Sequence, residues 1–364
     1  MVSSEILGRM PTGEQVHLFT ISTPRARLRL MEFGAALLSL EVPDASGTAG
    51  DVLLGMASLE DYFDNPACHG STVGPIANRT DGAEMIIGSS ACHLAKNDGP
   101  GQRNNLHTSL VSGLHKRVWR AVADEKRNAV RLTCRLGEGE LGLPGNRTFT
   151  CHVSLVDLPN DTTQVTITYT CTTDALTFVN MTNHSYFNLA GHDAGTAMGT
   201  IVRLEADEFL PIREDSVSTG EIRSVDGTPF DFREPKALGR DIDGSDEQLH
   251  RARGYDHCFC IRGWKPGAPP RRALVAHDPK SGRTLEIRVT TPGAHLYTGN
   301  WLDDAHAKGG GSYGVRAGFA FEPEFYPDCT HHLSWPQPVC TPYQPYAQTI
   351  VYQLGPSLDT QKML

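Results

Sequence analysis

The sequence contains no CxxC pair, no apolar run of membrane-spanning length and no dense cluster of lysine and arginine. Each absence removes a class of function. Nine cysteines, an odd number, are scattered from Cys68 to Cys340, which indicates neither a disulfide framework nor a zinc site. The formal charge is −9 and the best basic run, Pro270-Arg271-Arg272, is too short for a surface that tracks phosphates, so no nucleic-acid partner is expected. Membrane insertion is not expected either. The first residues, Met1-Val2-Ser3-Ser4-Glu5, lack the basic and apolar regions of a signal peptide, and Lys362-Met363-Leu364 does not match the peroxisomal Ser-Lys-Leu signal. A cytoplasmic location is the expectation. The Asn-x-Ser/Thr sequons beginning at Asn78, Asn146, Asn160, Asn180 and Asn183 then have no secretory context and read as chance matches. The glycine-rich patch Lys308-Gly309-Gly310-Gly311-Ser312 lacks the spacing of a phosphate-binding loop and reads as a flexible surface loop.

Hydrophobic residues at 39% and charged residues at 21% supply material for a large core. The dominant period is two. In Gln164 to Cys171, Val165, Ile167, Tyr169 and Cys171 share one face and threonines occupy much of the other, as in a half-buried antiparallel strand. Phe149, Cys151, Val153 and Leu155 repeat the pattern across the turn residues Leu158-Pro159-Asn160-Asp161, which predicts a hairpin. Two more hairpins are predicted, from Val118–Ala123 with Ala129–Leu136 and from Arg271–His277 with Thr284–Thr291. Long amphipathic helices are scarce. The 36 glycines and 23 prolines are spread along the chain and mark no linker, so residues 1–364 read as one all-β domain, an antiparallel sandwich. Cys258 and Cys260 fall on one face of a strand, where packing is their expected role.

Three polar segments interrupt this pattern. Asn183-His184-Ser185-Tyr186-Phe187-Asn188-Leu189 carries a histidine, a phenol and two amides, while Gly254-Tyr255-Asp256-His257 and Phe321-Glu322-Pro323-Glu324-Phe325-Tyr326-Pro327-Asp328 supply carboxylates. A carboxylate and an imidazole make an acid/base pair. A lone histidine at a strand end is ordinarily structural, and it is the accompanying segments that give His184 a chemical reading. Glu322 follows Ala317-Gly318-Phe319-Ala320-Phe321, so its carboxylate, once buried, needs partners or a shifted pKa. Asp328 after Pro327 reads as turn chemistry. His331 and His332 would face opposite ways on an extended segment, which argues against joint metal binding.

In order and spacing, these segments together with Tyr297-Thr298-Gly299-Asn300 resemble the aldose 1-epimerase (galactose mutarotase) family, from roughly Gly13 to Leu354. Gly74-Pro75-Ile76-Ala77-Asn78-Arg79 and Leu106-His107 resemble two less specific segments of the family. The resemblance implies a large antiparallel β-sandwich, the galactose mutarotase-like supersandwich, whose open face holds a free hexose such as galactose or glucose and interconverts its anomers. It assigns Glu322 as general base, His184 as general acid and His107 to the C1 oxygen. Asn78, Arg79, Asp256, Tyr186 and His295 would bind the sugar, and Trp301 would either pack against the pyranose or belong to the core. No metal and no cofactor is implied. The sequence departs from the family at Pro75, where arginine is usual, at Thr108-Ser109, where glycines are usual, and at His295 and Glu324, where glutamine is frequent. Glu324 lies two residues from Glu322 and would share its face, which would raise the pKa of the base. Three alternatives stand beside this reading: a hexose-6-phosphate 1-epimerase, a non-catalytic sugar-binding protein and a glycoside hydrolase. Neither oligomeric state nor the preferred sugar is written in these residues.

Overall fold

The computed structural model describes residues 1–356, so the Lys362-Met363-Leu364 segment considered above lies outside the described residues. Its central feature is the predicted hairpin. Strands Arg147–Leu158 and Thr162–Thr173 pair antiparallel along their whole length, from Arg147 opposite Thr173 to Leu158 opposite Thr162. Asn160 and Asp161 turn the chain at φ of +62° and +59°, a left-handed conformation that short polar side chains tolerate. The apolar members of both strands, from Phe149 to Leu155 and from Val165 to Cys171, are at most 1% exposed. Thr148, Thr150, Thr166 and Thr168 line the half-buried opposite face.

The other two hairpins form as well. Arg120–Asp124 pairs with Ala129–Leu136, and Arg271–His277 pairs with Thr284–Val289 across a bulge between Arg272 and Leu274. The latter strand ends at Val289, where the Thr349 amide donates to the Thr290 hydroxyl at 2.9 Å. Together with Tyr346–Gly355, Ile201–Leu204 and Lys236–Ala237 these hairpins build a nine-stranded antiparallel sheet. A six-stranded sheet runs in the order Tyr186–Phe187, Phe319–Glu324, Gly293–Tyr297, Asp256–Ile261, Ala206–Phe209 and Arg223–Ser224. The first strands of the chain, Val2 to Asp51, make a third sheet of five.

One apolar cluster joins all three sheets, drawing on residues from Phe19 to Leu354. Phe187 of the six-stranded sheet meets Tyr352 of the nine-stranded sheet edge to face at 5.2 Å. Each such side chain, fully buried, contributes about 1.5–3 kcal/mol. All nine cysteines are free and buried, and Cys258 and Cys260 pack together with Leu210, Cys329 and Trp335. Among the described residues the α-helices are two short segments, Leu59–Phe63 and Glu247–Ala252, and no helix is long and apolar enough to cross a membrane. The glycine-rich patch differs from its sequence reading at one end. Lys308 Nζ donates to the Leu38 carbonyl at 2.8 Å and to the Asp51 carboxylate, which pins the loop to the five-stranded sheet.

Candidate active site

Strands of the six-stranded sheet send alternate residues to opposite faces, and that alternation builds the site. In Phe319–Glu324, Phe319 and Phe321 enter the core, so Glu322 and Glu324 face the other way. In Gly293–Tyr297, Ala294 and Leu296 enter the core, so His295 and Tyr297 share the face of Glu322. Pairing places His295 directly opposite Glu322 on one side and Cys258 on the other. Asp256 begins the next strand. Charged groups are thus set side by side on a covered sheet face.

Loops from the N-terminal half close over this row. His184 follows the Thr182–Asn183 strand, which pairs with Thr72–Val73, and its backbone exchanges hydrogen bonds with Ser71 and Gly70. Asn183 and Asn188 donate to backbone carbonyls of Gly70, Gly195 and Ala317, so the two amides of the polar segment brace the chain. Asn78 and His107 both adopt positive φ, +61° and +56°, and they hold each other: the Asn78 amide donates to His107 Nδ1 at 3.1 Å and the His107 amide to the Asn78 carbonyl at 3.0 Å. Thr108, in place of a glycine, also sits at positive φ, and its hydroxyl bridges the Ile76 amide and carbonyl at 2.8 and 2.9 Å.

The result is a cavity of about 320 Å³, within the range of small-ligand sites. Its walls include Asn78, Arg79, His107, His184, Tyr186, Asp256 and Glu322. His184 Nε2 lies 3.5 Å from Glu322 Oε1, with both residues buried, while His184 Nδ1 and Glu322 Oε2 have no partner among the described residues. Arg79 Nε donates to Asp98 at 2.9 Å. Tyr186 packs against His184 with ring centres 5.1 Å apart.

Burial pushes the Glu322 carboxyl well above the usual carboxylate range; the positive His295 works against that rise, and Glu324 and Asp256 add to it. Burial, with His69 nearby, holds His184 down at about 3. Burial thus favours the neutral form of both groups, and moving a proton from Glu322 to His184 converts a neutral pair into carboxylate and imidazolium. Asp256 is held at about 2: burial opposes its charge, but the hydrogen bond from His295 and the positive charges of His295 and Arg79 outweigh burial. His107 is held well below its ordinary value by burial and by His184, so its ring is neutral. Because Nδ1 accepts the Asn78 amide, the proton sits on Nε2, the N–H that this ring can offer a ligand. The ligand-capable atoms of His107, His184 and Glu322 lie within 4.8 Å of one another, a spacing that can span a metal ion. A ring nitrogen that carries its proton does not ligate one, and the tautomer of His107 disfavours that use.

Seven of the eight sequence-derived site residues line the cavity. The eighth, His295, is 3% exposed and stands behind Asp256, with both ring nitrogens engaged by protein groups. Glu324 shares the face of Glu322, as its spacing predicts, yet it is fully buried and points to His295 and Asn78 rather than into the cavity. Trp301 is no core residue: it is 59% exposed at the rim, with the Arg253 guanidinium 3.9 Å from its ring centre. His331 and His332 do not face opposite ways, since they lie at the end of a 3-10 turn and both approach Asp328, at 2.7 and 3.8 Å. Asp328 itself turns the chain at φ +63° and accepts the Asp81 amide. Sequence reasoning missed Tyr297, Asp303 and Asp304 on the wall, and behind them His69, whose Nε2 meets Asp304 at 2.9 Å. Only Tyr297 carried a signal, its place in Tyr297-Thr298-Gly299-Asn300.

The chain matches the profile of one protein family, aldose 1-epimerase, over residues 17–353. It is 34% identical to a galactose mutarotase of Bos taurus over 97% of this chain and 98% of that protein. An aldose 1-epimerase of Escherichia coli strain K12 is 33% identical over 94% and 96%. Among solved structures, a GalM/aldose epimerase homologue from C. elegans superimposes with a TM-score of 0.82 at 29% identity, covering 92% of this chain and 98% of that one.

Proposed function

The chain belongs to the aldose 1-epimerase family and is an enzyme of that isomerase class, and from this premise we propose that it acts on free hexoses, galactose and glucose, with Glu322 and His184 as its proton-transfer pair. The observation that carries the assignment is the buried Glu322–His184 contact at 3.5 Å, with one polar atom on each side chain left without a partner among the described residues. Such orphaned atoms are costly in an interior, and a sugar's oxygens can satisfy them.

Ring opening starts from the carboxylate–imidazolium form of the pair. Glu322 takes the proton of the C1 hydroxyl, His184 gives its proton to the ring oxygen, and the bond between C1 and that oxygen breaks to leave an aldehyde. The pair is now Glu322 protonated and His184 neutral, the form that burial favours. Desolvation thus assists the step that opens the ring. Rotation about C1–C2 exposes the other carbonyl face. Reclosure returns the C5 hydroxyl proton to His184 and the Glu322 proton to the carbonyl oxygen, which restores the starting form. His107 Nε2–H is suited to donate to the C1 oxygen as charge builds there. Arg79, Asn78, Asp256 and Tyr186 hold the hydroxyls and the ring in register.

Arg79, already paired with Asp98, faces Asp256, Asp303, Asp304 and Glu322 around the cavity, a balance that supports an uncharged sugar over a phosphorylated one. The core cluster running from Phe19 to Leu354 supports reading the chain as one catalytic domain. Polarimetry on freshly dissolved α-D-galactose and α-D-glucose tests the proposal. The enzyme should speed the approach to the same final rotation that buffer reaches, and a rate equal to buffer on both sugars would defeat the free-hexose reading.

A further inference from the structure

His295 lines no part of the cavity, yet it occupies the centre of the charged row beneath it. Its Nε2 is 2.8 Å from Asp256 Oδ1, and its Nδ1 is 3.4 Å from Glu324 Oε1. Asn78 Nδ2 approaches the same Glu324 oxygen at 3.3 Å, so two donors converge on it. Across the strand pair His295 stands directly opposite Glu322. A glutamine at this position could offer an amide to a sugar but no charge. A histidine between two carboxylates offers a charge and has no nitrogen left for the sugar.

We propose that His295 is a positioning residue for the reaction: clamped between Asp256 and Glu324, it fixes Asp256 and Asn78 for the sugar hydroxyls and supplies the positive charge that lets its strand neighbour Glu322 act as a base. The proposal rests on the reading of Glu322 given above. The charged and titratable groups around His295 and Glu322 are Asp256 from the same sheet, Glu324 beside Glu322 on the adjoining strand, and Arg79, His107 and His184 from the covering loops, with His257 on the opposite face of the Asp256 strand. Burial opposes charge on His295, but the hydrogen bonds and charges of Asp256 and Glu324 outweigh it and push the imidazole up to about 10. It is therefore a cation throughout the neutral range. Glu324 holds that cation in place and also adds its own negative field at Glu322, so the two residues act on the base with opposite sign. Their joint presence where amides are frequent in the family is accounted for by this balance.

The test is the pH dependence of kcat for anomer exchange, followed by polarimetry on wild type, His295→Gln, Glu324→Gln, the double variant and Glu322→Gln. Loss of the cation makes Glu322 harder to ionise, so His295→Gln should move the acidic limb to higher pH. A shift of one unit lowers the rate on that limb about tenfold. Glu324→Gln should move the limb the other way, and the double variant, with both charges gone, should return it towards wild type. A packing role alone would raise KM or lower stability without moving the limb. If the limb stays at the wild-type pH in both single variants while Glu322→Gln is inactive, the role of His295 is overturned and the base assignment survives. If Glu322→Gln keeps wild-type activity, the base assignment fails and takes this proposal with it. Should His295→Gln not fold, the imidazole nitrogen shifts of His295 in the wild-type enzyme decide: a ring protonated on both nitrogens across the neutral range supports the role, and a neutral ring there overturns it.

Discussion

The hairpin Arg147–Leu158/Thr162–Thr173 and the paired strands Gly293–Tyr297 and Phe319–Glu324 obey the same alternation with opposite consequences. In the hairpin, Phe149, Val153, Ile167 and Tyr169 fill the core, and the threonines of the other face stay half-buried. In the paired strands, Ala294, Leu296, Phe319 and Phe321 fill the core just as well, but the other face carries His295, Glu322 and Glu324 and is covered by the loops of Asn78, His107 and His184. Water solvates the polar face in the first case. In the second, polar groups have only one another and the ligand, so their ionisation is displaced and coupled. The candidate site is an ordinary strand pair whose outer face has been closed off and charged.

Variants can test how far the two regions are separate. The largest effect is expected from Glu322→Gln, which should lower kcat by about 10²–10⁴ by removing one proton-transfer partner, with little change in Tm because a buried, poorly satisfied carboxyl is lost. Polarimetry paired with calorimetry reads both quantities, and a large fall in Tm would show that the site also bears load. Phe149→Ala should do the reverse. It should cost about 3–5 kcal/mol in denaturant unfolding while the remaining folded protein keeps wild-type kcat.

A third prediction sets buried histidines under the site against the hairpin, which has none on its core face. Burial holds both His184 and His257 down at about 3. Between their ordinary value of 6.5 and about 3 the unfolded chain binds protons that the native form does not, so stability is full above 6.5 and is lost as pH falls. The slope is up to about 1.4 kcal/mol per pH unit for each group. Tm measured from pH 7 to pH 4 should therefore fall, and His257→Gln should flatten the curve; an unchanged slope would place the acid sensitivity elsewhere. The smallest effect is expected at the rim, where Trp301→Ala should raise KM by the few-fold that about 0.5–1.5 kcal/mol of ring contact represents. Its unfolding free energy should stay within about 0.5 kcal/mol of wild type, as for other exposed sites.

Several features were legible in the sequence because they depend on neighbours along the chain. The hairpin of Phe149 and Cys171, the shared face of Cys258 and Cys260, and the shared face of Glu322 and Glu324 all follow from a period of two. Features that depend on distant segments were not legible. His295 reads as a sugar ligand until Asp256 and Glu324 are seen to occupy both its nitrogens. Trp301 could have been core or rim, and the stacking of Arg253 settles it on the rim. His331 and His332 were misjudged because a tight turn replaces the extended segment on which opposite facing was predicted. The support of Asp304 by His69 joins residues 235 positions apart.

The sequence by itself determined the three hairpins, the inward and outward faces of their strands, and the carboxylate and imidazole types available for chemistry, since all of these follow from local alternation and turn residues. Tertiary structure decided which of those groups meet, which one reaches the cavity and which proton each holds. Register across strands sets His295 beside Glu322, and closure by remote loops removes the water that would otherwise keep their charges independent.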